Sequence, residues 1–298
     1  MLLALLPLLS PLFLMAGLGW VMARPGVLSS NWQAGLNELT ARVLIPALLF
    51  SGAFRNGIPA TVSWQFLAAF FLPLIALFLL AVYGVRRGPG SAARALSGTY
   101  SNTVFVGLPL LSQAFGPDSL QYAFPVIAFH GLVAFSLYYL TASGKNIFAS
   151  LVNAVKNPIV VSLLLGLACN FAGLTLPAPM TSVLAMLSAA ALPCALLALG
   201  ASLAGFRILS WPETAAIVFA KLVLLPAFVL GMALCVFDLP APAMTVLVVV
   251  AACPVGVNAA ALVQSDGQNP AQVSSAILLS SIACMATLPI WIWLVRAL

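Results

Sequence analysis

Residues 97–116 read SGTYSNTVFVGLPLLSQAFG, and the fold turns on how this stretch is read. No charge lies between Arg94 and Asp118, so its setting is that of a membrane-spanning helix. Yet Ser101, Asn102, Thr103, Gly107 and Pro109 are not residues that a helix facing only lipid needs. Glycine and proline beside small polar side chains interrupt the helical ladder and leave backbone N–H and C=O groups open. Within a bilayer such groups are tolerated only against protein or a water-filled cavity. A broken spanning helix is a common way to build a site at mid-membrane, and it calls for a second one facing it.

The rest of the chain supports a bilayer setting. Its 298 residues are 63% hydrophobic and only 5% charged, with mean hydropathy +1.17, whereas soluble domains are about a quarter charged. Apolar runs of spanning length follow one another with little between them, which leaves no room for a sizeable extramembrane domain. The net charge of +6 is spread over connectors rather than gathered into a patch, so it reads as a topology signal and not as nucleic-acid binding. Cys169, Cys194, Cys235, Cys253 and Cys284 all fall in apolar segments without a CxxC pair. They read as buried small hydrophobes, with no metal site or disulfide implied. The first 23 residues carry no charge and read as a first span rather than a cleaved leader.

Ten spans are expected: about 2–23, 36–55, 63–85, 95–115, 120–142, 158–172, 180–203, 212–236, 241–264 and 271–295. Pro7 and Pro11 lie in the first, where Pro11 could kink the helix. Glu38 and Arg42 at the start of the second are spaced for a local ion pair. The connector at 141–157 reads as an amphipathic stretch at the membrane surface. The two halves echo each other, with IPALLFSG at 45–52 against LPCALLALG at 192–200. Pro109 in the fourth span answers Pro254 in the ninth, and Pro73 in the third answers Pro226 in the eighth. A repeat of five spans is odd in number, so the second copy must be inverted. The fold class is therefore an all-α polytopic membrane protein with ten transmembrane helices in two inverted five-helix repeats, 1–145 and 155–298. The fourth and ninth spans are expected to be broken, and two interrupted helices can meet at their breaks. With both termini outside, Arg24, Arg86, Arg87, Arg94, Lys145, Lys156 and Arg207 are cytoplasmic and only Arg55 and Arg296 external, as positive-inside topology requires.

Few polar groups are embedded. Ser101, Asn102 and Thr103 in the fourth span, with Pro254, Gly256 and Asn258 in the ninth, form the candidate substrate site. Half-helix N-termini there would present N–H groups to an anion, and an asparagine from each span can donate and accept. Lys221 either snorkels to the headgroups or stands as an anion-attracting charge in the pathway. His130 is either a satisfied structural histidine or a proton-sensitive coupling group. No Asp or Glu lies mid-span, which disfavours a carboxylate proton relay, suits an anionic substrate and leaves an enzyme without a convergent catalytic set.

SNTVFVGLPLLSQAFG at 101–116, KNPIVVSLLLGL at 156–167 and the closing section at 254–294 resemble the auxin efflux carrier family. That group includes plant auxin exporters and bacterial permeases linked to malonate or malate. The resemblance implies a ten-helix inverted-repeat fold shared with bile-acid symporters and sodium–proton antiporters, in the bacterial inner membrane. It implies a scaffold domain of spans 1, 2, 6 and 7, and a transport domain of spans 3–5 and 8–10. Asn102, Thr103 and Pro109, with Pro254 and Asn258, would line or shape the site, the spans crossing at their prolines. SDG at 265–267 departs from the tyrosine–glycine pair of many relatives, and the short 141–157 connector lacks the long loop of some plant exporters. The expected activity is secondary transport of a small organic anion, a mono- or dicarboxylate, by elevator-type alternating access. A sodium-coupled symporter of the bile-acid type is the rival. No cofactor is expected, though Na+ or H+ coupling stays open. Expected partners are the substrate and membrane lipids, with a homodimer through scaffold helices and no nucleic acid.

Overall fold

The computed structural model describes residues 2–24, 27–28, 31–57, 59, 62–85, 88, 90–142 and 158–298. The described chain forms twelve helical rods in the order α1 (Leu2–Met22), α2 (32–56), α3 (64–85), α4 (Ser91–Thr99), α5 (Thr103–Phe115), α6 (Pro117–Ala142), α7 (Pro158–Phe171), α8 (Ala178–Leu203), α9 (Trp211–Val236), α10 (Ala241–Ala252), α11 (Asn258–Ser265) and α12 (Ala271–Ala297). Five of them, α3, α6, α8, α9 and α12, are long and apolar enough to cross a membrane. The 26 residues of α9 reach about 39 Å at 1.5 Å per residue, beyond the roughly 30 Å of a hydrocarbon core. Large apolar side chains such as Leu14, Phe171, Val183 and Met186 face outward, as lipid-facing surfaces do. The molecule is an all-α polytopic membrane protein.

Two sets of rods pack densely. In one, α7 lies along α2, α2 against α8, and α1 along α8. The α1–α8 approach is close because Gly19 faces the Leu197 carbonyl and Gly200 faces that of Ala16, where a Cβ would collide with backbone on either side. Small residues at such contacts let membrane helices meet backbone to backbone. Asn170 at the end of α7 donates its amide N–H to the Phe54 carbonyl (2.8 Å), tying α7 to the end of α2. The other set joins α3, α4, α6, α9, α10 and α12, where α10 is wholly buried from Ala243 to Ala252.

Three of the prolines inside the rods share a setting. Pro46, Pro109 and Pro226 each come two residues after a wide π-type turn, at Thr40–Leu44, Thr103–Gly107 and Ala220–Leu224. A proline ring would clash with the carbonyl four residues earlier and cannot donate to it. Widening that turn moves the carbonyl aside. For Pro226 the carbonyl is that of Leu222, and the Trp291 indole N–H takes it over at 2.8 Å.

Several sequence expectations change here. Pro7 and Pro11 are carried within one continuous helix, α1. Pro109 does not break its span; the break lies earlier, at 100–102, and Pro109 sits in the regular run Leu108–Phe115. Only Cys253 and Cys284 are buried, while Cys169 and Cys194 are partly exposed and Cys235 is exposed. Cys194 packs at the margin of the core and Cys235 faces outward, a difference that apolar sequence alone does not show. The Glu38–Arg42 pair forms at 3.3 Å on an exposed face. The expected amphipathic stretch at 141–157 lies, from residue 143 onward, outside the described residues, as do Arg86 and Arg87.

Candidate functional site

The polar stretch 101–103 opens the helix between α4 and α5. Up to Thr99 the hydroxyls serve their own helix, Ser97 donating to the Ala93 carbonyl (2.9 Å) and Thr99 to that of Ala95 (2.8 Å). At Tyr100 the chain turns extended. Asn102 then restarts the helix as a cap: its side-chain oxygen accepts from the Phe105 N–H (3.3 Å), and its carbonyl accepts from Val106 and Gly107. Asparagine is favoured there because it satisfies N–H groups a helix start leaves open.

The second break, 253–257 between α10 and α11, lies against the first. Ser101 and Val255 pair as an antiparallel bridge. The Asn102 N–H donates to the Pro254 carbonyl (2.8 Å), and the Gly256 N–H to that of Tyr100 (3.0 Å). Each extended segment thus supplies the backbone partners that the other lost on leaving its helix. Gly256 is required by contact: a Cβ there would fall on the Tyr100 ring. The Val255 N–H is taken by the Ser280 hydroxyl of α12 (3.0 Å).

His130 braces the crossing from α6. Its Nε2 accepts from the Ser101 N–H (3.3 Å), so that nitrogen carries no proton, and the ring also bonds the Thr99 backbone. It stacks on Tyr100 at 4.7 Å and meets the edge of Phe70 at 5.6 Å.

Lys221 does not snorkel. It is fully buried, and its Nζ donates to the carbonyls of Ala251 (2.5 Å) and Cys253 (2.7 Å). The position nine residues along its span suggested reach to the headgroups. In the folded chain the wide turn at Ala220–Leu224 faces the C-terminal end of α10, whose open carbonyls and negative dipole end attract a cation.

A cavity of ≈650 Å³ opens beside the crossing, between α1 and α8 on one side and α5 and α12 on the other. Phe13, Trp20, Leu199 and Met285 are among its lining, with Pro254 and Ser281 as its contact with the crossing, and no charged side chain lines it. Among the described residues five buried polar atoms have no hydrogen-bond partner: Ser101 Oγ and Asn102 Nδ2 in the crossing, Ser281 Oγ in the cavity wall, and Thr40 Oγ1 and Thr287 Oγ1 elsewhere. Leaving a buried polar atom unpaired costs about 1–3 kcal/mol; Ser281 lines the cavity with Pro254, while Ser101 and Asn102 lie in the crossing itself and are not part of the cavity lining.

Of the sequence candidates, Ser101, Asn102, Thr103, Pro254 and Gly256 come together at the crossing, braced by His130. Lys221 approaches it from α9. Pro109 stands apart from the break, although buried. Asn258 begins α11 on an exposed face, its side chain toward the Tyr100 hydroxyl. Sequence reading missed Tyr100, Ser280 and Ser281. The Ser280–Ser281 pair inside an apolar run was the available signal.

Among the described residues no cluster of His, Cys, Asp or Glu is suited to a metal. Two broken helices crossing beside a cavity, within a bundle sheathed in apolar side chains, define a class: a multi-pass membrane transporter, which moves a solute without making or breaking its bonds. The chain belongs to the membrane transport protein family, whose profile matches residues 5–150 and 145–292. It is 28% identical over 291 residues to an uncharacterized transporter of Methanothermobacter thermautotrophicus, covering 92% of this chain and 93% of that one. It is 25% identical over 307 residues to a putative malonate transporter of Rhizobium meliloti, covering 97% and 95%.

Proposed function

We propose that this protein is a secondary transporter of a small organic anion, binding the carboxylate at the crossing and moving it by elevator-type alternating access. In this reading α4 with α5, and α10 with α11, each count as one broken span. That makes ten spans in two inverted repeats, 1–145 and 155–298, with both termini outside. The set α1, α2, α7 and α8 is the scaffold, through which two copies could pair, and the remaining rods are the moving body. The observation that carries the reading is that Ser101 Oγ and Asn102 Nδ2 at the crossing, and Ser281 Oγ in the wall of the cavity that Pro254 also lines, are buried without a partner. All three can donate to a carboxylate.

The cavity wall bears on the substrate. The similarity to a putative malonate transporter brings dicarboxylates into view. A dianion in a pocket without a lining cation would keep one carboxylate poorly solvated. A monocarboxylate with an apolar body fits the wall better, its charge at the crossing and its body against Phe13, Trp20 and Met285. Sodium coupling finds no carboxylate at the crossing to favour it.

The test is uptake into proteoliposomes of radiolabelled malonate, malate, phenylacetate and indole-3-acetate, with and without a sodium gradient. Asn102→Asp keeps the cap acceptor while replacing the free N–H donor with negative charge. It is expected to weaken apparent affinity about 10- to 100-fold, the scale of a hydrogen bond to a charged group. Undiminished uptake by Asn102→Asp, or no uptake of any probe by the wild type, overturns the reading.

A further inference from the structure

Lys221 poses a charge-balance problem that the crossing does not solve alone. Its nitrogen is fully buried and has two protein acceptors, the carbonyls of Ala251 and Cys253. Two acceptors satisfy both N–H groups of a neutral amine. An ammonium has three, and among the described residues none is seen to take the third. No salt bridge to Lys221 is present among the described residues either. Glu213, the acid on the same rod, sits in its first turn and pairs with Arg94 at 3.5 Å. The titratable groups facing the amine are Cys253 just after α10, Cys284 on α12 and His130 on α6, none of which supplies a negative counter-charge as a neutral thiol or imidazole. The dipole end of α10 offsets about half a charge.

An anion at the crossing would supply what is missing. Cys253, whose carbonyl holds the amine, directly precedes Pro254, and both Pro254 and Cys284 line the cavity. Cys253 and Pro254 thus connect the amine to the cavity wall, and in a medium of low dielectric constant opposite charges on the two sides would stabilise each other. Resting on the transporter reading above, we propose that Lys221 takes up a proton in step with the substrate anion, so that the protein moves the two together. The lone pair of the neutral amine accepts a proton from the open side as the anion binds. The loaded pair carries no net charge for a monocarboxylate. On the far side the anion leaves, the ammonium returns its proton to water, and the empty carrier goes back with a neutral amine.

Coupled loading has a thermodynamic signature. Anion binding and amine protonation must favour each other to the same degree. In purified, detergent-solubilised full-length protein, the apparent Kd for phenylacetate should rise about tenfold per pH unit on the alkaline side. Adding phenylacetate at matched pH to a weakly buffered sample should draw protons from solution. Lys221→Gln retains two N–H donors for the same carbonyls and cannot titrate; it should bind weakly, with flat pH dependence and no proton uptake. Lys221→Arg keeps a permanent charge; it should bind without proton uptake, and its transport should respond to membrane potential rather than to a pH gradient. A capping role alone predicts wild-type proton behaviour that Lys221→Arg leaves unaltered. Wild-type binding and uptake that ignore pH would overturn the coupling and leave the transporter standing, whereas failure to bind or move any probe removes both. The wild-type profile decides the matter even if a variant does not fold.

Discussion

At the scale of single residues, the crossing is a place where backbone groups have left their helices and found particular partners. His130 is the clearest case. Its Nε2 takes the Ser101 N–H, while Phe70 and Tyr100 fix the ring from its edge and its face. This geometry favours the structural role over the proton-sensitive one. Replacing it with leucine leaves the Ser101 N–H buried without an acceptor, a loss of about 1–3 kcal/mol. His130→Leu should therefore lower the Tm of the detergent-solubilised protein by several degrees. His130→Gln, with an amide oxygen to accept the same N–H, should recover part of that shift. Thermal denaturation of the three proteins measures it. An unshifted Tm for His130→Leu, with an altered pH dependence of uptake, would return His130 to the coupling machinery.

At the scale of elements, a proline inside a membrane rod exports a hydrogen-bonding problem to a neighbour. Pro226 frees the Leu222 carbonyl, and Trp291 of α12 answers it. Trp291→Phe should cost about 1 kcal/mol in the wild type and clearly less in a Pro226→Ala background, where residue 226 regains an N–H for that carbonyl. A double-mutant cycle on Tm reads the coupling directly, and additive shifts would show that the pair is not energetically linked. The same wide turns explain what could be read from the chain. Ser101, Asn102 and Thr103 marked the first break correctly, because small polar groups amid apolar sequence have few other uses. Pro109 misled, because a wide turn can absorb a proline without opening the helix, and its composition does not announce itself. Pro254 was read correctly since it falls in an extended segment. For Lys221 two readings stood open because its position was measured along its own rod; burial excludes snorkelling, and its environment is made by the end of another rod. Tyr100 was invisible for the same reason, its role depending on which segments cross, whereas the Ser280–Ser281 pair inside an apolar run was a signal left unread.

For the whole molecule, the two faces of the bundle can be told apart by tracing contacts along single rods. Glu213 lies in the first turn of α9 and Phe237 just beyond its end, so their partners lie on opposite faces. Arg94 meets Glu213, Gln272 donates to Thr214 at 2.9 Å, and Tyr138 donates to Asp266 at 3.2 Å, which gathers the starts of α4, α9 and α12 with the ends of α6 and α11. On the other face Trp64 meets Phe237 edge-on at 5.6 Å, and Arg296 at the end of α12 donates to the Ala114 carbonyl (2.6 Å) and covers the Phe115 ring. The first face carries Arg94 and Arg207, and the connectors with Arg86, Arg87, Lys145 and Lys156 adjoin it in sequence; the second carries Arg55 and Arg296. In the proposed topology positive charge is retained on the cytoplasmic side, which would put the first face inside and both termini outside. Single cysteines in a background without the five native ones should report this. Asp118→Cys, on an exposed turn near Arg296, should react with a membrane-impermeant maleimide on intact cells. Asn269→Cys, in the turn before α12, should react only after permeabilisation. The opposite labelling pattern would invert the proposed topology, and with it the side to which the cavity beside Pro254 would open.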